Sequence, residues 1–337
     1  FGGLTNLFGF TNEDWKAWTF WDGTPLLVPG KFNTEPDENG DILMYVDGDQ
    51  SVPPCAKMPK GGFYFDSLAR QEPIDEDALN PADNASDYGP ISAANLAHLR
   101  AESERLYTQT DKALLMVFGD SGFGDIALVP GPWVKHPKGI RDVAEWYMST
   151  VTRKDYVMQV FERQCEIALA NLPKVYDAVG DRVTVAWISG TDFGAQNSCF
   201  ISPRAFRDHL APSYAAIAAA AQDRGKRLVV HIGGPSRRLV PLLAQAGVHG
   251  LQGIAGPPQG DITMADARQE AGPEVVLWGG VPQDLLLEEH DRDAFEASVA
   301  LALEGARADP RFLIGVADRV PPGADVERLR ALIRMAA

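Results

Sequence analysis

From Val183 onward the chain repeats one pattern: a short apolar run, a polar loop, then a stretch with helical spacing of apolar positions. The first run, VTVAWIS, is β-branched and aromatic, the composition of a strand buried on both faces. It ends in Gly190-Thr191-Asp192-Phe193-Gly194, where glycines permit a sharp turn and an acid follows the strand. Ser202-Pro203 then reads as an N-cap with proline at the first helical position, opening a helix over 203–224. LVVHIGG leads in the same way into SRRLVPLLAQAG, with Gly247 just past the helix end. VHGLQGI leads into TMADARQEAG, where Thr263 and Asp266 form a capping pattern and Gly272 closes the helix. VVLWGGV precedes a helix over 293–308, and FLIGVAD one over 325–335. These are five βα units in succession, joined by short connections.

Ahead of them, KALLMVFGD (112–120) predicts a buried strand ending in an acid, and helices are predicted over 92–110, 139–149 and 153–171. The first ninety residues are irregular. TNEDWKAWTFWDG holds three of the seven tryptophans, and EPDENGDILMYVDGD predicts a hairpin turning at Asn39-Gly40. MPKGGFYFD sets two glycines before an aromatic cluster. This segment reads either as an excursion packing its aromatics on the main domain or as a flap over a ligand site. Counting 113–119, and 26–28 as a further candidate, the strands number six or seven. An eighth is expected in the irregular N-terminus or ahead of it, since the chain opens on Phe1 rather than Met. The expected architecture is a (β/α)8 TIM barrel over 91–337, with an N-terminal irregular segment and hairpin over 1–90 packed on it. An open doubly wound sheet is the competitor, but no GxGxxG follows any early strand.

Composition narrows the function. The chain has 337 residues, 45% hydrophobic and 23% charged, within the range of one large α/β domain. A formal net charge of -15 argues against nucleic acid, whose phosphates need clustered Lys and Arg, and favours a small-molecule substrate. Cys55, Cys165 and Cys199 form no CxxC pair, so neither a disulfide framework nor a cysteine-rich zinc module is expected. No apolar run reaches the roughly 18–20 residues of a membrane span and no signal peptide is visible, so the cytoplasm is the expected compartment.

In parallel α/β folds, chemistry collects where the strands end. Those ends carry Asp120, Asp192, His231, Gln252, Trp278 and Asp318, all expected to face one mouth. Asp192 as a bare loop cap is the plain alternative to a catalytic acid, although an acid ending an apolar strand is costly without a partner. His231 interrupts an apolar strand and reads as either a satisfied core residue or a functional imidazole. Asp318 reads as either a functional acid or the structural ion-pair partner of Arg319 beside it. Trp278 with Gly279 and Gly280 suits the wall of a flat ligand, and Phe193, Gln196 and Gln283 complete the binding candidates. A histidine with two aspartates admits two chemistries: His231 and Asp318 as ligands of a divalent metal, or proton shuttling. Neither GxSxG nor HExxH is present.

GTDFGAQNSCFISPRAFRDHLAPSY resembles the GTDFGTQ/GDDLGTQ…ISP…F…P segment of the uroporphyrinogen decarboxylase superfamily. VHIGG, LVPLLAQAGVHGLQGI and VVLWGGVPQDLL are similar, in order, to its HSCG…LI…GVDALNPVQ…FWGGIDTQ..L series. GVADRVPPGADVERLRAL is similar to its closing pattern, and MPKGGFYFD and RDVAEWYM resemble its non-haem branches. The likeness covers residues 90–335 and implies a (β/α)8 barrel.

The superfamily's activities are cofactor-free decarboxylation of uroporphyrinogen, and methyl transfer involving corrinoid proteins with zinc on an His-x-Cys pair and a later Cys. This chain lacks the RQAGR-like segment of the decarboxylases. Gly233 stands at the Cys position of the pair, and the late Cys is replaced near residues 316–318, so a bound metal would need oxygen and imidazole ligands. Of the three cysteines, only Cys199 lies near the mouth in sequence.

The resemblance points to the methyltransferase-like, corrinoid-dependent branch: a demethylase passing a methyl group from a small methoxylated or methylated compound to a corrinoid on a partner protein. Asp192, His231 and Asp318 are the expected catalytic residues, and Asp120, Phe193, Gln196, Gln252, Trp278 and Gln283 the expected substrate contacts. The alternative is a cofactor-independent decarboxylase of another carboxylated substrate. A non-catalytic binding module is the third reading, and a homodimer is left open.

Overall fold

The computed structural model describes residues 15–29, 32, 34–117, 126–191, 198–257 and 259–336. They fall into two units, one reaching Leu114 and resuming at 126 to end at Arg182, the other made of Leu115–Val117 and the chain from Val183.

In the first unit, β1 (Trp15–Thr19) and β2 (Pro25–Pro29) form an antiparallel hairpin pairing Trp18 with Leu26. The run 26–28, counted as a further candidate for the barrel, is therefore hairpin instead. A proline at each end of β2 removes ladder donors, which suits a short edge strand. β3 (Thr34–Pro36), β4 (Ile42–Met44), β5 (Ala56–Met58) and β6 (Asp66–Ser67) make a four-stranded antiparallel sheet in sequential order. Its first turn is the expected Asn39-Gly40 hairpin, closed by Asp37 N–H donating to Asp41 O at 2.8 Å. Trp18, Phe20, Trp21 and Phe63 meet in edge-on and tilted ring pairs.

The α-helices of this unit among the described residues are α1 (Pro81–Asn84), α2 (Ala93–Gln109), α3 (Val143–Thr152) and α4 (Lys154–Val179). Ser92 and Asp142 cap α2 and α3 by accepting from the Asn95 and Glu145 N–H groups. α4 runs through Pro173 to Val179, past the end predicted at 171, because Leu172, Val175, Tyr176 and Val179 continue its buried face. That apolar burial outweighs the backbone bond that Pro173 cannot make. Arg141, 1% exposed, is held by the Asp87 carboxylate and by the Lys138 and Asp83 carbonyls.

The second unit is built on β7 (Leu115–Val117), β8 (Val185–Thr191), β9 (Arg227–Ile232), β10 (Gly250–Ile254), β11 (Val276–Val281) and β12 (Phe312–Val316). They form one curled parallel sheet, each strand beside the next in sequence, a half-barrel of six strands. No further strand joins this sheet among the described residues.

Its helices are α5 (Pro203–Ala205), α6 (Ala211–Gln222), α7 (Val240–Gln245), α8 (Met264–Ala271), α9 (Arg292–Ala308) and α10 (Val326–Ala336). The single helix predicted over 203–224 is interrupted by a π-type turn at Phe206–Leu210, just before Pro212, whose missing N–H breaks the regular ladder. Ser202 and Thr263 cap α5 and α8 as predicted. Among the described residues no helix is long and apolar enough to cross a membrane.

The two faces of the sheet differ. Met116, Ala186, Ile188, Leu228, Val230, Leu251 and Leu277 alternate onto one face and are at most 1% exposed. β11 continues this face to Val281, which packs with Phe295, Val299 and Ala302 of α9 and Leu332 of α10. The opposite face carries Trp187, Val229, His231, Gln252, Trp278 and Leu313, several of them half-buried or exposed. Polar candidates therefore stand on the face away from these helices.

Candidate active site

Strand register assembles the centre of the site. His231 on β9 lies level with Gln252 on β10, Gln252 with Trp278 on β11, and Trp278 with Leu313 on β12. Registered neighbours in a parallel sheet project to the same side, so residues remote in sequence form one row.

His231 is buried, and among the described residues one of its ring nitrogens has a hydrogen-bond partner. Its Nδ1 meets Gln252 Oε1, and Nε2 has no hydrogen-bond partner among the described residues. The Gln252 amide nitrogen donates to the Ala317 carbonyl at 2.8 Å. Ala317, fully buried at the end of β12, is itself anchored by donating its N–H to Val281 O at 2.8 Å. A polar relay thus crosses from β9 to β12 at their carboxyl ends. Trp187 on β8 flanks the imidazole, ring centroids 5.7 Å apart at 45°.

Gly253 makes this geometry possible. It sits at the irregular step in the β10–β11 register with φ +101°, and a Cβ there would come within 2.4 Å of Ile232 O and 3.2 Å of His231 Cε1. Such a bulge re-aims the neighbouring side chain, here Gln252. The glycines after Trp278 serve packing: a Cβ on Gly279 would meet Ile254 O at 2.3 Å, and one on Gly280 would meet Ala302 Cβ at 2.9 Å. They let β11 approach β10 and α9, rather than only clearing room for a ligand.

Asp318 follows β12 and is half-buried. Its carboxylate accepts the backbone N–H of Arg319 at 2.8 Å, rather than pairing with the Arg319 guanidinium, the structural alternative raised by the sequence. Gln283 opens the turn after β11, its N–H donating to Gln259 Oε1 at 2.9 Å, while its own Oε1 is buried without a partner among the described residues. Asp120, Asp192, Phe193 and Gln196 lie outside the described residues. Trp187 and Gln259 were missed in the sequence. Trp187 had a signal: it shares the alternation of its strand, two positions before the polar end, whereas nothing local marks Gln259.

Among the described residues no group of three or more His, Cys, Asp or Glu side chains gathers to hold a metal ion. The described donors around His231 do not suit zinc: the amide of Gln252 and the carbonyl of Ala317 satisfy each other, and one carboxylate oxygen of Asp318 is turned onto the backbone. Cys199 donates its thiol to Pro235 O at 3.2 Å, and burial, reinforced by the Asp261 charge, raises its pKa against forming the thiolate. The three cysteines form no disulfide.

The unit has the parallel α/β architecture in which ligand sites commonly lie at the carboxyl edge of the sheet, and here an imidazole, an amide and two indoles share one face. More narrowly, residues 127–337 match the model of the uroporphyrinogen decarboxylase (URO-D) family, and the chain belongs to that family. No curated protein matches the sequence. A solved methyltransferase from Methanosarcina mazei is similar in fold, with TM-score 0.50 and 17% identity over 72% of this chain. The match spans about 62% of that protein's own length. D-psicose 3-epimerase, solved with D-fructose, matches at TM-score 0.37 and 10% identity over 70% of this chain and 90% of its own, too weakly to bear on function.

Proposed function

We propose that the chain is a methyltransferase that takes a methyl group from a small methoxylated or methylated compound and delivers it to a corrinoid on a partner protein. The observation that carries the reading is the His231 imidazole, held at Nδ1 by Gln252 and with no partner at Nε2 among the described residues, on a sheet face shared with Trp187 and Trp278. Family membership supports an enzyme, and the similar fold is that of a protein named as a methyltransferase. Closure of the half-barrel into a (β/α)8 barrel belongs to the same proposal, as does a cytoplasmic location.

A corrinoid on the partner protein would supply the nucleophile that accepts the methyl group. The donor's carbon–heteroatom bond breaks with its electron pair on the heteroatom, which must then take a proton. Nε2 of His231 is the atom that can carry that proton, because Nδ1 is occupied by Gln252 in either charge state. Asp192 is assigned to hold the imidazole in its charged form at that moment. General-acid help of this kind is worth roughly 10²–10⁴ in rate. The indoles of Trp187 and Trp278 supply apolar walls that orient the donor and exclude water. Asp318, Gln283, Gln196, Phe193 and Asp120 are assigned to the polar and aromatic surround.

The test follows the loss of free reduced corrinoid by absorbance, with a panel of methoxylated compounds and mass spectrometry of the demethylated product. Turnover by the wild type that collapses in folded His231→Gln supports the reading. Equal rates in the two proteins would sink it. The second reading, decarboxylation of a carboxylated substrate, is favoured by the description of the family itself. It predicts release of labelled carbon dioxide from a labelled polycarboxylate with no corrinoid present.

A further inference from the structure

We propose that Gln252 is a positioning residue that fixes the tautomer of His231, holding the neutral ring protonated on Nδ1 and leaving the lone pair on Nε2. What Nε2 is then used for rests on the methyl-transfer reading; the tautomer itself does not.

The argument starts from an atom that cannot change role. The Ala317 carbonyl is an acceptor only, so the amide group facing it at 2.8 Å must be the nitrogen of Gln252. Ala317 cannot turn away, because its N–H is committed to Val281 O and the residue is fully buried. Gln252 Oε1 therefore faces His231. That oxygen is also an acceptor only, so the hydrogen between the two side chains belongs to Nδ1.

The alternatives are each penalised. Flipping the amide sets two carbonyl oxygens against each other and two N–H donors against Nδ1. Flipping the imidazole sets a C–H against Oε1. The Nε2–H tautomer faces a lone pair with a lone pair. One buried hydrogen bond traded for such a contact is enough for a preference of about tenfold or more. Packing holds the ring as well, with Trp187 against it and no Cβ at Gly253 to push on Cε1. In water, neutral histidine favours the other tautomer, so the effect is a reversal rather than a reinforcement. A backbone carbonyl orienting an amide, which orients an imidazole, is the relay that commonly sets which histidine nitrogen is reactive.

The test is 15N NMR of the imidazole nitrogens in histidine-labelled full-length protein, at a pH well above the ordinary histidine pKa of about 6.5. His231→Gln identifies the signal by its disappearance. The expected wild-type spectrum shows a protonated Nδ1 and a bare Nε2 at His231. Gln252→Met, close in shape but without the amide, shifts the population to the Nε2–H form. A wild-type His231 signal from the Nε2–H tautomer overturns the proposal without recourse to any variant. A folded Gln252→Met protein with the wild-type pattern overturns it too, since Gln252 would not be setting the proton. Lack of methyl transfer alongside an Nδ1–H signal would sink the functional reading and leave the positioning role standing.

Discussion

Adding one methyl group at Gly253 separates backbone strain from steric clash. Gly253 has φ +101°, and its Cβ would lie 2.4 Å from the Ile232 carbonyl oxygen and 3.2 Å from His231 Cε1. An L residue held at positive φ costs about 1–2 kcal/mol. Driving a methyl group into a backbone atom that cannot swing aside adds about 1–3 kcal/mol of overpacking. Gly272, which ends α8 at φ +78° with nothing within 4 Å of its Cβ position, is the control that carries the first cost alone.

At about 2–4 °C per kcal/mol for a unit of this size, Gly272→Ala should lower the melting temperature by about 2–8 °C. Gly253→Ala should lower it by a further 2–12 °C or so on the same scale. Scanning calorimetry of both variants reads the difference, and turnover per folded molecule should fall in Gly253→Ala alone, because the methyl group presses on the His231 ring. Equal melting temperatures would refute the assignment of Gly253 to a close approach between β9 and β10.

The remaining expectations concern buried charge, pH and the proposed chemistry. Arg141→Met strands the buried Asp87 carboxylate and should destabilise the first unit by about 3–5 kcal/mol, with Asp87→Asn in the same protein recovering part of the loss. Burial already raises the Asp87 pKa, and losing Arg141 raises it further, so the Arg141→Met defect should shrink in denaturation experiments as pH falls and the carboxyl takes up a proton. His249 accepts the Leu228 N–H at Nδ1, and its pKa is lowered, first by burial and then by the Arg227 charge. Its folded pKa lies below the unfolded value of about 6.5, so its stabilisation is complete above that pH and lost as pH falls toward the folded value. His249→Asn should therefore flatten the fall in melting temperature between about pH 7.5 and 5.5. If Asp192 and His231 act as one unit, the double variant Asp192→Asn/His231→Gln should turn over little slower than the worse single variant, whereas independent roles give losses that multiply.

Much of the local structure of both units was legible before any coordinates. The caps at Ser202 and Thr263 and the turn at Asn39-Gly40 depend on neighbours a few residues away, and each follows its local pattern. The polar residues at the strand ends could be picked out as well, because an imidazole or an amide in an apolar run is conspicuous wherever the strand lies. Position in the sheet could not be read in this way. Residues 26–28 have the composition of a strand, and only pairing with Trp18 shows that they belong to a hairpin. The end of α4 was misplaced because a local rule about proline was overruled by a buried face that continues beyond it.

The site divides along the same line. The sequence placed His231, Gln252 and Trp278 on successive strands and Asp318 just after the next, although Gln252 and Trp278 stand inside their strands rather than at the expected carboxyl ends. Tertiary structure alone decided that Gln252 bridges His231 to Ala317, 65 residues further on, that Trp187 stands against the imidazole, and that Asp318 turns to its own backbone. Composition and periodicity record whether a position is buried. Hydrogen-bond partners between strands depend on register, which is set jointly by every element packed on the sheet and is written in no single segment of the chain.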